Sequence, residues 1–182
     1  NLLASLAESP TIQSLIQKHL NGNHKPAAEL CLNAIAQTTL STAPPTWLDA
    51  LNEQLTQATD SNISTIIAAV LNPRLPKNGH PALQQSLASI AAKQSLPADI
   101  RLSALSAAGA NRELDENTFQ MLLLQITSDQ SLNDRTAACN CLASAALSAD
   151  QLNTLLDSTR QIGPMDLPRL LPAFERESSE AF

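Results

Sequence analysis

Apolar residues recur at positions i, i+3, i+4 and i+7 in five stretches of this chain, and each stretch forms one face of a predicted α-helix. The stretches begin at Ile12, Leu48, Leu83, Phe119 and Leu152, which lie 36, 35, 36 and 33 residues apart. A period of this length without strand signals is typical of helical repeats, in which each unit packs on its neighbours. The pattern therefore predicts an all-α fold, an α-solenoid of about five antiparallel helix pairs.

A position that recurs later in each repeat, which we call the arginine slot, locates the second helix of each pair. Arg101, Arg135 and Arg169 occupy this slot at steps of 34 residues, and the same slot falls on Ser64 and near Glu29 in the earlier repeats. These positions predict a single repeat domain over residues 1–182. Its helix pairs are expected at about 10–20 with 25–37, 46–59 with 62–72, 81–94 with 98–110, 116–127 with 132–146, and 149–162 with 165–176.

Turn and capping residues support these helix bounds. A hydroxyl at a helix start with an acidic or amide residue three positions later satisfies free amide donors there. Two longer connections, at 38–45 and 73–80, contain most of the prolines between helices and are expected to be loops rather than domain boundaries. The predicted capping pairs are Thr46 with Asp49, Ser131 with Asp134, and Ser148 with Gln151.

Composition narrows the function classes. Aromatic residues make up 2% of the 182 residues, so little bulky material is available for a thick core, and Leu and Ala must fill the space between closely packed helices. The net charge of −6 disfavours nucleic acid, whose binding depends on Lys and Arg displacing counterions. No apolar run approaches the roughly 20 residues of a membrane span, so no membrane partner is expected. The chain opens at Asn1 directly in helical pattern, which indicates a fragment of a longer protein.

The sequence around residue 100 resembles the HEAT-like repeats of armadillo-type folds. In that family the second helix carries an aliphatic-Arg pair after a turn Asp and before small residues, which Asp99, Ile100, Arg101 and Ala104 match. The later repeats keep the Arg but lack the aliphatic neighbour. The resemblance covers most of the chain and implies a scaffold for protein interaction.

A narrower resemblance rests on "LPADIRLSALSAAG" and on the segment 147–176. Both are similar to the repeat region of large bacterial proteins that join a sugar or sorbosone dehydrogenase-like propeller to a c-type haem domain. That resemblance implies a non-catalytic spacer between the two modules, in a protein that is periplasmic or otherwise exported. The haem attachment motif Cys-x-x-Cys-His does not occur in the chain, so no cofactor is assigned to it.

Residues that resemble chemical sites have simpler structural explanations. Cys139 and Cys141 are two positions apart on a predicted helix and point in opposite directions, so they cannot converge on one metal ion. No nucleophile elbow or glycine-rich phosphate loop is present, and no catalytic residue is proposed. The enzymatic alternatives are a HEAT-like DNA glycosylase and a chromophore lyase. Cys31, His19, His24 and His80 are expected in core, solvated or helix-end positions rather than as ligands.

Four residues are candidates for partner binding. Arg101, Arg135 and Arg169 are expected to stack along one side of the repeats and form a ladder for an acidic partner. The structural alternative is that each pairs with a turn carboxylate or with neighbouring carbonyls. Trp47 is either an exposed anchor for a partner or a side chain packed over the preceding loop.

The last predicted pair ends without a visible cap. Leu170, Leu171 and Phe174 are followed by "ERESSEAF", and an uncovered repeat leaves apolar surface in water. We therefore expect a capping segment beyond Phe182. The expected partners are protein or neighbouring domains of the same chain.

Overall fold

The computed structural model describes residues 2–22, 24–73, 75–76 and 79–180, with side chains up to Glu175. The described residues form α-helices and one 3-10 turn, Thr159–Gln161, and they contain no strand. The helices are α1 Leu2–Ser5, α2 Pro10–Leu20, α3 Lys25–Ala36, α4 Pro45–Thr56, α5 Ile63–Leu71, α6 Pro81–Ala91, α7 Ala98–Ala108, α8 Glu116–Gln125, α9 Leu132–Ser144, α10 Ala149–Ser158 and α11 Leu167–Glu180.

The predicted helix pairs correspond to α2 through α11, and the all-α helical-repeat class is confirmed. Several helices end earlier than the apolar pattern predicts, and α4, for example, ends at Thr56 rather than at 59. The chain leaves α4 through a tightened turn, in which the Ala58 amide donates to the Leu55 carbonyl at 3.2 Å. The short helix α1 was not predicted.

Two compact units make up the chain, Asn1–Ile90 and Ala91–Phe182. In the first unit, α2 packs on α3 and α4, and α5 packs on α3 and α4. Each helix therefore contacts both its own partner and its counterpart in the adjacent repeat, which is the packing of a helical repeat. The single domain predicted over 1–182 stays a prediction. The fully buried core of this unit includes Ile16, Leu20, Ile35, Leu51 and Ile66.

The second unit is built on α9, which packs against α7, α8 and α11, while α8 also contacts α10. The core side of α8 is formed by Phe119 and Leu122, and the buried Ile126 follows directly after the helix. Leu123, the third member of the predicted apolar face, is only half-buried because it lies at the edge of that face. The core is completed by Leu142, Leu155 and Leu170.

Side chains in the first unit donate hydrogen bonds to groups one repeat earlier in the sequence. Each bond spans 34 residues, close to the period of the apolar pattern. Equivalent helices therefore meet at equivalent positions, and each bond contributes about 1 kcal/mol to the contact between repeats. The bonds join Gln54 Nε2 to the Leu20 carbonyl at 2.7 Å, Asn72 Nδ2 to the Thr38 carbonyl at 2.7 Å, and Ser86 Oγ to Asn52 Oδ1 at 2.8 Å.

Backbone groups make the corresponding contacts in the second unit. The Asn111 amide donates to the Ser144 carbonyl at 2.7 Å, and the Ala146 amide donates to the Arg112 carbonyl at 2.8 Å. Asn111 has a φ of 58°, a left-handed conformation that Asn tolerates better than most residues. The loops that follow α7 and α9 are thereby paired.

The predicted caps are found at two of three helix starts. Ser148 and Gln151 form a complete capping box, and the Ser131 hydroxyl accepts from the amide three residues on. The Thr46 cap is wrong, because α4 begins one residue earlier, at Pro45, and its N-cap position is taken by Pro44. The predicted loop 73–80 lies partly outside the described residues, at positions 74, 77 and 78.

Candidate functional site

Trp47 lies inside the first unit and not on its surface. Its side chain is 0% exposed, and its indole Nε1 donates to the Gln13 carbonyl of α2 at 3.0 Å. The exposed-anchor interpretation is therefore wrong, because packing of α4 against α2 covers the indole. Trp47 joins two adjacent repeats, and its hydrogen bond spans 34 residues.

Arg101 is also buried, with 8% of its surface exposed. Its Nε donates to the carbonyl of Ala91, the last residue of α6, at 2.7 Å. A cation at a helix carboxyl end stabilises the free carbonyls there. Its Nη2 is buried without a hydrogen-bond partner among the described residues. These contacts favour the structural alternative for Arg101, and it presents no open charge to a partner.

Arg135 and Arg169 meet at one buried carboxylate, Asp166. Arg135 Nε lies 2.9 Å from Asp166 Oδ2, and Arg169 Nε lies 3.9 Å from Asp166 Oδ1. Arg135 Nη1 also donates to the Gln130 carbonyl at 2.9 Å. The Asp166 side chain is 3% exposed, so the cluster ties α9 to the turn before α11. The binding ladder of arginines stays a prediction, although these contacts use two of the five N–H donors of Arg135.

The three cysteines are buried thiols. Burial raises the pKa of Cys31 and of Cys141, and it raises the pKa of Cys139 to about 11, with Asp166 adding to the effect. These thiols are therefore protonated at neutral pH and are poor nucleophiles. Among the described residues, no group of three His, Cys, Asp or Glu side chains is arranged to hold a metal ion.

Two histidines cap helices rather than bind ligands. His24 Nδ1 accepts from the Ala27 amide at the start of α3, and His80 Nδ1 accepts from the Leu83 amide at the start of α6, both at 3.2 Å. Because Nδ1 accepts in each cap, the neutral ring carries its proton on Nε2. The Nε2 of His80 accordingly donates to Asp49 Oδ1 at 3.0 Å.

A polar groove of about 500 Å³ opens in the first unit. One wall is the start of α3, with Lys25 and Glu29, and the other is the end of α4 and the turn that leads into α5, with Gln54 and Asn62. The buried Leu32 lies at its floor. Its volume lies within the range of ligand sites, about 300–1,000 Å³.

The groove walls are held by their own hydrogen bonds. The Gln54 amide is fixed through Nε2 to the Leu20 carbonyl at 2.7 Å, and Asn62 Oδ1 accepts from the Thr59 amide at 2.8 Å. The groove was not predicted, because polar residues in turns are usually solvated and nothing in the period shows that two turns enclose a space. The only signal was the similar position of these turns in consecutive repeats.

Apolar side chains are exposed on the last helix pair. On α11, Leu170 is 1% exposed and Ala173 is 5% exposed, and both belong to the buried face. On the same helix Leu171 is 56% exposed, and Met165 in the preceding turn is 84% exposed. Part of the apolar face of α11, at Leu167 and Leu171, is therefore open to solvent. Of the helices described, none combines the length and the apolar character needed to cross a membrane.

Comparison with known proteins agrees with this architecture. The family model described as the Vitellogenin TPR domain matches residues 2–161, which include α1 through α10. No curated protein and no solved structure matches the chain. The match covers most of the sequence and confirms that the chain consists of helical repeats, as the resemblance to HEAT-like repeats predicts. The chain belongs to the Vitellogenin TPR domain family.

Proposed function

We propose that this chain is a non-catalytic helical-repeat scaffold that binds protein segments. The observation that carries the proposal is the exposed edge of the apolar face of α11. Leu167 is 36% exposed and Leu171 is 56% exposed, although Leu170 on the same apolar arc is buried. A helix whose apolar face is only partly covered leaves apolar surface in water, and a covering protein segment removes that surface from water.

Other features of the chain support a scaffold. Side chains that resemble chemical groups of an active site are used in packing instead. Arg101 and Arg135 make hydrogen bonds to other parts of the fold, and Cys139 is buried. The repeats are joined by hydrogen bonds at repeat offsets, which makes a rigid frame for holding partners. We propose that the covering segment is a further part of the same protein, beyond Phe182. Phe182 itself lies outside the described residues.

Site-specific photo-crosslinking in the intact protein, in its own cells, tests this proposal. A benzophenone amino acid at Leu171 is expected to crosslink to protein, whereas the same group at Asn153, an exposed polar position of α10, is expected to give little product. Peptide mapping then shows whether the captured segment belongs to the same chain. Equal yields at both positions, or none at Leu171, would contradict the proposal.

A finer proposal places the scaffold between a dehydrogenase-like propeller and a c-type haem domain. Its support is the resemblance of residues 147–176, and the family match adds nothing to it. A haem absorption spectrum of the intact purified protein tests it, since covalent haem remains bound after denaturation. A protein without covalent haem contradicts the spacer role. The DNA glycosylase alternative has no observation in its favour, and the net charge of −6 weighs against it.

A further inference from the structure

The polar groove of the first unit has the chemistry of a peptide-binding site. Its walls combine primary amides and hydroxyls above a small apolar floor at Leu32. Such side chains hold both donors and acceptors, as a peptide group does, so they can pair with a backbone regardless of sequence.

The hydrogen bonds already made in the groove determine what two of its three side-chain amides, those of Gln54 and Asn62, still offer. Gln54 uses Nε2 on the Leu20 carbonyl, which leaves Oε1 as an acceptor. Asn62 uses Oδ1 to accept from Thr59, which leaves the two N–H groups of Nδ2 as donors. One acceptor and one donor complement the N–H and C=O of an extended peptide.

The charges of the groove select against other ligands. Lys25 and Glu29 lie one turn apart on α3, so the wall carries one charge of each sign. A phosphate or a nucleic acid would meet the carboxylate of Glu29, and a metal ion would meet the ammonium of Lys25. A neutral ligand avoids both penalties.

The frame of the groove is arranged before any ligand binds. Gln54 is anchored across one repeat, and Asn62 is fixed to the turn that precedes α5. Fixed side chains lose less conformational entropy on binding than free ones, so even a short ligand gains affinity.

We propose that this groove binds an extended, uncharged segment of polypeptide through its backbone, with Gln54 Oε1 accepting from a peptide N–H and Asn62 Nδ2 donating to a peptide carbonyl. The inference rests on the proposed scaffold function and names the kind of partner that one surface takes.

An NMR titration of the full chain tests the proposal. The probe is a capped hexapeptide of alternating Ser and Ala, and its control is the same peptide with every backbone nitrogen methylated. We expect saturable shifts of the Gln54 and Asn62 side-chain amides with the probe, and at least a threefold weaker response with the methylated peptide, since the peptide N–H donors are lost.

A matched pair of variants completes the test. Asn62→Asp keeps the oxygen that accepts from Thr59 and removes the donor, so we expect about three- to tenfold weaker binding without a change in melting temperature. Asn140→Asp, at an exposed position of α9 that does not line the groove, makes the same charge change and is expected to bind like the parent chain.

Three results would overturn the peptide site. They are the absence of saturable shifts at Gln54 and Asn62, an equal response to the methylated peptide or to maltotetraose, and unchanged affinity of Asn62→Asp. The titration reports on the first unit alone, whereas crosslinking at Leu171 reports on α11. A failed titration with successful crosslinking therefore overturns the groove and leaves the scaffold, and the reverse result overturns the proposed α11 contact.

Discussion

The indole nitrogen of Trp47 donates to the Gln13 carbonyl, 34 residues earlier and one repeat away. Packing of α4 against α2 buries Trp47 fully, so the polar end of the indole finds its partner in the adjacent repeat. Sequence-based reasoning left both burial and exposure open for this residue. Whether Trp47 is buried depends on the distance between α2 and α4, and the spacing of residues along the chain does not predict that distance.

Replacing Trp47 separates its packing from its hydrogen bond. We expect Trp47→Phe to lower the free energy of unfolding by about 1–3 kcal/mol, because the Gln13 carbonyl loses a donor and a smaller ring leaves space. We expect Trp47→Ala to cost about 3–5 kcal/mol. Urea unfolding measures both values. A Phe variant as stable as the parent chain would show that the bond between repeats contributes nothing.

The carboxylate of Asp166 is expected to support two helices. Asp166→Ala leaves Arg135 partly buried without its partner, so we expect a loss of about 1.5–3 kcal/mol in chemical denaturation. Replacing the pair together, by Arg135→Met and Asp166→Leu, removes both charges and is expected to recover at least half of that loss. A double variant less stable than Asp166→Ala would mean that the ion pair itself is strongly stabilising.

His80, which caps α6, makes two contacts whose contributions to stability can be compared. His80 accepts from the Leu83 amide and also pairs with Asp49, whose side chain is 78% exposed. We expect His80→Ala to cost about 1 kcal/mol and His80→Asn much less, since Asn supplies another capping oxygen. Asp49→Ala is expected to change stability very little, because exposed ion pairs are weak. Thermal unfolding of the three variants decides between the bonds, and equal losses for Asp49→Ala and His80→Ala would contradict this assignment.

The pKa of Cys139 predicts how the stability of the folded chain changes in alkaline solution. Burial raises its pKa from 9.0 to about 11 in the folded chain, so the folded state holds the proton more tightly than the unfolded state. The resulting stabilisation is complete below pH 9 and is lost as the pH rises towards 11. We expect the stability difference between the parent chain and Cys139→Ala to shrink over that interval. A difference that stays constant from pH 8 to pH 11 would argue against a buried, protonated thiol.

The sequence was informative about helices and much less informative about surfaces. The predicted starts of α7 at residue 98 and of α9 at residue 132 are found, because a proline and a hydroxyl residue mark those starts. It did not show that Arg101 is buried, since a charged residue in a repeat slot usually faces solvent. Nor did it show the groove beside Asn62, which forms only when turns from neighbouring repeats come together.

The coupling of neighbouring repeats is measured most directly by native-state hydrogen exchange on Asn72→Ala. Asn72 follows α5 and donates to the carbonyls of Ile35 and Thr38 at the end of α3, at 3.3 and 2.7 Å. If bonds at repeat offsets join the repeats into one frame, protection should fall in α3 and α5 together, by similar free energies, while α8 and α9 change less. Loss of protection confined to the end of α5 would show that the repeats act independently and would contradict the scaffold described above.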